Sequence, residues 1–136
     1  MIPVRTHTIA TAAHNAVKEH EADDFRKAYA SLAHKLPGLI LQNGLAQATG
    51  FLLAKHKREH QALLADLAAV LRAGGVTDAA DGEALHGAVI DADLPQTIRL
   101  TREALVAAGW LKRYVQGVLR LGATGEPKEE DAPHAD

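Results

Sequence analysis

The sequence predicts an all-α fold, a compact bundle of about six helices with a long C-terminal helix and a disordered acidic tail. Three observations carry this. The apolar share is made of 27 Ala and 18 Leu against 8 Val, 5 Ile and 5 aromatic residues. Ala and Leu lose little freedom in a helix, whereas β-branched and aromatic residues favour strands. Apolar residues recur at i, i+3, i+4 and i+7 through most of the chain. Capping residues and helix-ending glycines punctuate those runs.

Taken in order, Thr6 can cap a first helix whose stripe is Ile9, Ala12, Ala13, Ala16 and Val17. Asp23 can cap a second, with Phe25, Ala28, Tyr29, Leu32, Ala33 and Leu36 at helical spacing. Pro37 disfavours the helical conformation at Leu36, so the second helix is expected to stop or kink there. A third helix then runs from Pro37 to about Lys55. Asn43-Gly44 within it is also a hairpin signal, but alternation is poor and Ala, Leu and Gln flank the pair. As a helix the segment carries Gly38, Gly44 and Gly50, each costing about 1 kcal/mol relative to Ala, which points to something packed close to the backbone. A fourth helix, from about Lys57 to Ala73, sets Leu63, Leu64, Leu67, Val70 and Leu71 on one face, and Gly74-Gly75 ends it. Asp81 can cap a short fifth helix through Ile90. Asp93-Leu94-Pro95-Gln96 is a helix start with a capping box, and the last helix is expected to reach about Leu121. Trp110 and Tyr114, one turn apart on its apolar face, read as core anchors.

Residues 1–122 form the single helical domain in this reading, and 123–136 the tail. The tail holds Glu126, Glu129, Glu130, Asp131 and Asp136 against Lys128, with two prolines and no large apolar residue, a composition that does not bury a core. The body is then slightly basic, and its charge is segregated. Gln61 to Ile98 holds six acids and one base, whereas Lys55, Lys57, Arg58 and the stretch from Arg99 to Arg120 are basic. There is no cysteine, which removes disulfides, thiolate metal sites and cysteine nucleophiles and suits the cytoplasm. Met1 to His7 shows no signal-peptide pattern. The uncharged run from Leu36 to Ala54 is long enough for a membrane span, but Pro37, Gln42, Asn43, Gln47 and its glycines make it the buried middle of a soluble bundle.

No phosphate-binding glycine loop, nucleophile elbow or HExxH motif is present, and no catalytic residue, cofactor or metal is expected. On the last helix Arg99, Arg102, Arg113 and Arg120 fall within a sector of about 60°, opposite the apolar face. With Lys112 and Lys55 they form the candidate polyanion-binding set, because guanidinium groups along a rod can follow a phosphate backbone. The alternative is a solvated face. His56-Lys57-Arg58-Glu59-His60 fits the inverted zinc-hydrolase pattern H-x-x-E-H, so a zinc-dependent hydrolase is a second reading. No further motif supplies a third ligand. A helical adaptor with no nucleic-acid role is a third reading. Asn43 and Gln47, at i and i+4 in an uncharged segment, must be paired if buried, or else form, with Gly44, a contact surface for another subunit.

The run from Tyr29 to Phe51, through Lys35-Leu36-Pro37, Ile40, Asn43-Gly44-Leu45 and Gln47, resembles the signature of the small subunit of the type III-B CRISPR effector, the Cmr complex. Thr101-Arg102-Glu103-Ala104-Leu105 followed by Trp110-Leu111-Lys112-Arg113-Tyr114 is similar to that family's C-terminal helix. The resemblance spans roughly 120 residues. It implies a non-catalytic, all-helical protein of antiviral defence. Such subunits line up as a minor filament beside neighbouring copies of themselves and the other Cmr effector subunits. They lie along guide RNA and target RNA, with no membrane involved. Family RNA contacts are scattered basic residues, so the residues proposed here come from the charge pattern.

Overall fold

The computed structural model describes residues 5–127. Six helices follow one another: α1 (Arg5–Lys18), α2 (Arg26–Asn43), α3 (Leu45–Lys55), α4 (Arg58–Ala73), α5 (Gly82–Asp91) and α6 (Leu94–Gly117). Among the described residues there is no strand, only an isolated antiparallel bridge between Leu121 and Pro127. No described helix is long and apolar enough to cross a membrane.

α4 is the central element and packs against all five other helices. Its sequence suits that place: Leu63, Leu64, Leu67, Ala68, Val70 and Leu71 are all buried, a broader stripe than one packing partner requires. α6 lies across α1, α2 and α4 and buries Leu100, Ala104, Ala107, Ala108, Leu111 and Val115. Its three alanines let neighbouring helices approach closely. α5 covers α3 and α4, and Gly82 at its start has Leu64 where a side chain would go, with Cγ 2.6 Å from the Cβ position.

Several local signals act as expected. Asp81 accepts from the Ala84 amide at 2.8 Å. Asp93 accepts from the Gln96 amide at 2.9 Å, and Gln96 Oε1 takes the Asp93 amide in return. α4 ends at Gly74, with Gly75 at φ +73°. Arg72 then holds the following loop by donating to the Ala79 carbonyl at 2.8 Å.

Other elements differ from expectation. α1 begins before Thr6, so Thr6 is not its cap. α2 starts after Phe25 without a side-chain cap; Asp23 instead accepts from His20 Nδ1 at 2.8 Å. Pro37 neither ends nor starts a helix, because α2 continues through it to Asn43. Leu32, Ala33, Leu36 and Ile40 are buried on both sides of Pro37, and that continuous stripe outweighs the about 3 kcal/mol an interior proline costs. The break falls at Gly44 (φ 85°, ψ 159°), a conformation open essentially to glycine alone. Gly44 is therefore neither inside a helix nor in a hairpin, and beyond its own chain neighbours nothing lies within 4 Å of where its side chain would be. Of the three glycines, only Gly50 meets a neighbour, His86 of α5 at 3.3 Å.

The run from Leu36 to Ala54 is not buried throughout. It is amphipathic, with Leu41 71% exposed and Leu36, Ile40, Leu45, Ala48 and Leu52 inside. α6 stops at Gly117, short of Leu121. Arg120 adopts a left-handed conformation (φ 58°), which turns the chain so that Leu121 is buried and donates its amide to the Val115 carbonyl. Leu111 is core, but Trp110 and Tyr114 are half-buried at its edge. They stack on each other at 5.7 Å. Beyond Leu121 the chain folds back onto α2: Gly125 is buried where a side chain would strike the Lys27 carbonyl, and Glu126 lies 3.9 Å from Lys27 Nζ. The part of the acidic tail from residue 128 onward lies outside the described residues.

Candidate nucleic-acid interface

α6 presents Arg99, Arg102 and Arg113 to solvent on the side away from its buried stripe. Arg120 is exposed too but lies past the helix end, so it does not extend the row. Lys112 is half-buried. The strip between the arginines is not polar. Ile98 is 51% and Val106 43% exposed. Two adjoining shallow depressions share Leu105 and Val106, one edged by Arg102 and the other by Trp110 and Arg113. The Arg113 guanidinium sits over the Trp110 ring, 5.4 Å from its centroid. Arg99 borders a separate depression of about 540 Å³ that also contains Asp78. The face thus combines cationic groups with an apolar floor.

Lys55 lies elsewhere, in a cleft of about 350 Å³ between α2 and the corner joining α3 to α4. Lys35 and Lys57 line the same cleft with Glu59, His60 and Phe51. Lys55 Nζ stands 5.5 Å from the centre of the Phe51 ring, and His60 meets that ring edge-on at 5.4 Å. Burial, and after it Lys55 and Lys57, push the His60 imidazole below its ordinary value, against the pull of Glu59. Arg58 points to another partner. It binds Asp24 at 2.6 Å and lies over Phe25, holding the Asp24 carboxyl below the usual carboxylate range. The sequence associates Lys55 with Lys57 through adjacency. Phe51 stands one turn before Lys55 on α3, a spacing the sequence does show, whereas Lys35 joins them only because α2 and α3 fold together at Gly44, and no local spacing signals that.

Asn43, Gly44 and Gln47 are all exposed. They need no internal partners and form a polar corner at the α2–α3 junction. His56 and His60 do not share a helix face. His56 is the left-handed residue closing α3 (φ 55°), and His60 belongs to the first turn of α4. Among the described residues no group of three His, Asp or Glu is placed to hold a metal ion.

A largely buried polar cluster ties the fold together. His20 Nε2 and the Tyr29 hydroxyl both donate to Asp66 Oδ2, at 2.8 and 2.6 Å, and His20 Nδ1 donates to Asp23. It links the end of α1 to α2 and α4, and its donors and acceptors are matched to each other. Thr49 and His86 similarly join α3 to α5 at 2.7 Å.

The sequence model of a family described as CRISPR-associated protein (Cas_Cmr5) matches residues 5–118. The chain belongs to the Cmr5 family. A curated relative from Thermus thermophilus, "CRISPR system Cmr subunit Cmr5", is 40% identical over 115 residues, covering 85% of this chain and 96% of the relative. The crystal structure of a CRISPR-associated Cmr5 family protein, also from Thermus thermophilus, superposes with a TM-score of 0.79 at 38% identity, covering 87% of this chain and 99% of that one. The signature residues of the Cmr5 resemblance divide by location. Tyr29, Leu36, Ile40 and Leu45 build the core, whereas Lys35, Asn43, Gly44, Gln47 and Phe51 are at the surface.

Proposed function

We propose that this chain is a non-catalytic small subunit of the type III-B Cmr effector. In this reading it packs as a minor filament along guide RNA and target RNA, beside the other Cmr subunits and neighbouring copies of itself, in cytoplasmic antiviral defence. The observation that carries the RNA contact is the exposed row of Arg99, Arg102 and Arg113 on one face of a 24-residue helix, with Lys55 supplying a second basic site. Guanidinium groups on a rigid rod meet successive phosphates without reading bases. Arg120 and Lys112 flank the row as lesser contributors. A near-neutral domain holds RNA weakly alone, and repetition along a filament supplies the multivalency. The polar corner of Asn43, Gly44 and Gln47 is assigned to contact with another subunit.

The apolar floor formed by Ile98 and Val106 favours a second reading, in which the row meets a protein neighbour. Arg102→Glu combined with Arg113→Glu separates the two in a reconstituted complex. On the RNA reading the variant assembles, but target RNA binds more weakly. The slope of log affinity against log salt then becomes shallower by roughly 0.7–0.9 for each phosphate no longer neutralised. On the protein reading it fails to assemble. Normal assembly with unchanged RNA affinity refutes both.

A further inference from the structure

The cleft at Lys55 has features that a row of phosphate contacts does not use. It gathers three ammonium groups, Lys35, Lys55 and Lys57, against the single carboxylate of Glu59. It is open at an aromatic wall, where Phe51 is 38% exposed. α4 begins on this cleft with Lys57 as its N-cap and no side chain accepting from the first-turn amides. A cation at the positive end of a helix is locally unfavourable; Glu59 in the first turn offsets it in part, and an anion in the cleft would add to that and meet the open amides. His60 lines the cleft as well, and its buried Nδ1 makes no hydrogen bond, with Glu59 Oε1 3.6 Å away.

We propose that this cleft receives one unpaired nucleotide of RNA, its base against Phe51 and its phosphate among Lys35, Lys55 and Lys57. The shape selects an unpaired nucleotide. A-form duplex keeps its bases stacked inside a convex backbone, so an aromatic ring recessed in a concave wall reaches a base only where the strand is open. A ring beside lysines is the arrangement with which proteins hold single strands, the stack tolerating any base and the cations tracking the backbone. The volume of about 350 Å³ admits a nucleotide and excludes a duplex. Lys55, which lies over the Phe51 ring in the free protein, swings outward to the phosphate as the base takes its place. This assignment rests on the RNA reading above and adds to it a strand state and a second class of contact.

The test is a nuclear magnetic resonance titration of the full chain with pentauridylate, with a blunt twelve-base-pair RNA duplex and with inorganic phosphate. Pentauridylate is expected to shift the Phe51 and His60 ring signals and to raise the pKa of His60, as the phosphate neutralises Lys55 and Lys57. The duplex is expected to leave those rings unmoved. Phe51→Leu, which keeps an apolar side chain, should weaken pentauridylate about 5- to 150-fold, the loss of one base–aromatic stack. Lys35→Gln, at an exposed position, should weaken it and flatten its salt dependence while thermal unfolding stays unchanged. RNA binding that shifts α6 signals but leaves the cleft rings and the Phe51→Leu affinity unaltered overturns the cleft and spares the arginine row. Equal responses to phosphate and pentauridylate overturn the base contact. No shift anywhere with either RNA, at millimolar concentration, overturns the RNA reading as a whole.

Discussion

Folding stability should fall as pH rises from about 6 to 9.5, because of one histidine. Both His20 ring nitrogens lie 2.8 Å from carboxylate oxygens, of Asp66 and Asp23. Ionised carboxylates only accept, so both nitrogens must donate, and the ring is an imidazolium. The bond to Asp66 is the largest influence. Burial opposes it and the bond to Asp23 adds to it, bringing the His20 pKa from 6.5 to about 9. A pKa raised by folding contributes stability in full below the unfolded value, and the contribution is lost as pH climbs through the folded one. At about 1.4 kcal/mol per pKa unit, the contribution is about 3 kcal/mol, on the order of 10 °C in melting temperature for a domain of this size. Tyr29, on the same Asp66 oxygen, is held well above its ordinary value by burial and then by that carboxylate, so it does not titrate in this window. Urea unfolding of the wild type and of His20→Gln at pH 6 and pH 9.5 checks this. His20 also packs against the Phe25 and Tyr29 rings, a loss in the variant that does not depend on pH. The wild-type advantage should therefore shrink by about 3 kcal/mol between the two pH values. A constant advantage, or ring nitrogens with the signature of neutral imidazole at pH 7.5, would refute the ion pair.

Three substitutions examine the backbone and the caps. Gly44→Ala and Gly44→Leu should destabilise by similar amounts, about 1–3 kcal/mol each in urea unfolding, because the strain is conformational and nothing crowds the site; a much larger loss for leucine would mean overpacking. Gly82→Ala should cost about 1–3 kcal/mol through collision with Leu64, and Leu64→Ala should recover part of it in the double variant. Asp93→Ala removes the reciprocal bonds with Gln96 and should cost about 1 kcal/mol, with amide exchange faster in the first turn of α6 than in its middle.

Legibility divides along a physical line. Asp81, Asp93 and Gly74 act on amides and carbonyls within a few residues of themselves, so their roles were readable from spacing alone. The stripes of α1 and α4 were readable for the same reason. Asp23 has the residue type of a cap, but His20 provides a stronger, charged partner three residues back, and the helix starts without it. Pro37 has the residue type of a breaker, and a stripe buried on both sides of it carries the helix through. Arg120 fits the arginine row by count, yet burying Leu121 requires a turn that removes it. In each case a contact distant in sequence, or a charge, outweighed a local preference of a few kcal/mol or less. Lys57 is the reverse case. Its residue type is poor for the N-cap it occupies, and no side chain caps the amides it leaves open. Glu59 in the first turn offsets the charge in part, but the uncapped amides remain, and a local rule met only in part points outside the chain, here into the cleft where Lys35, Lys55 and Phe51 converge.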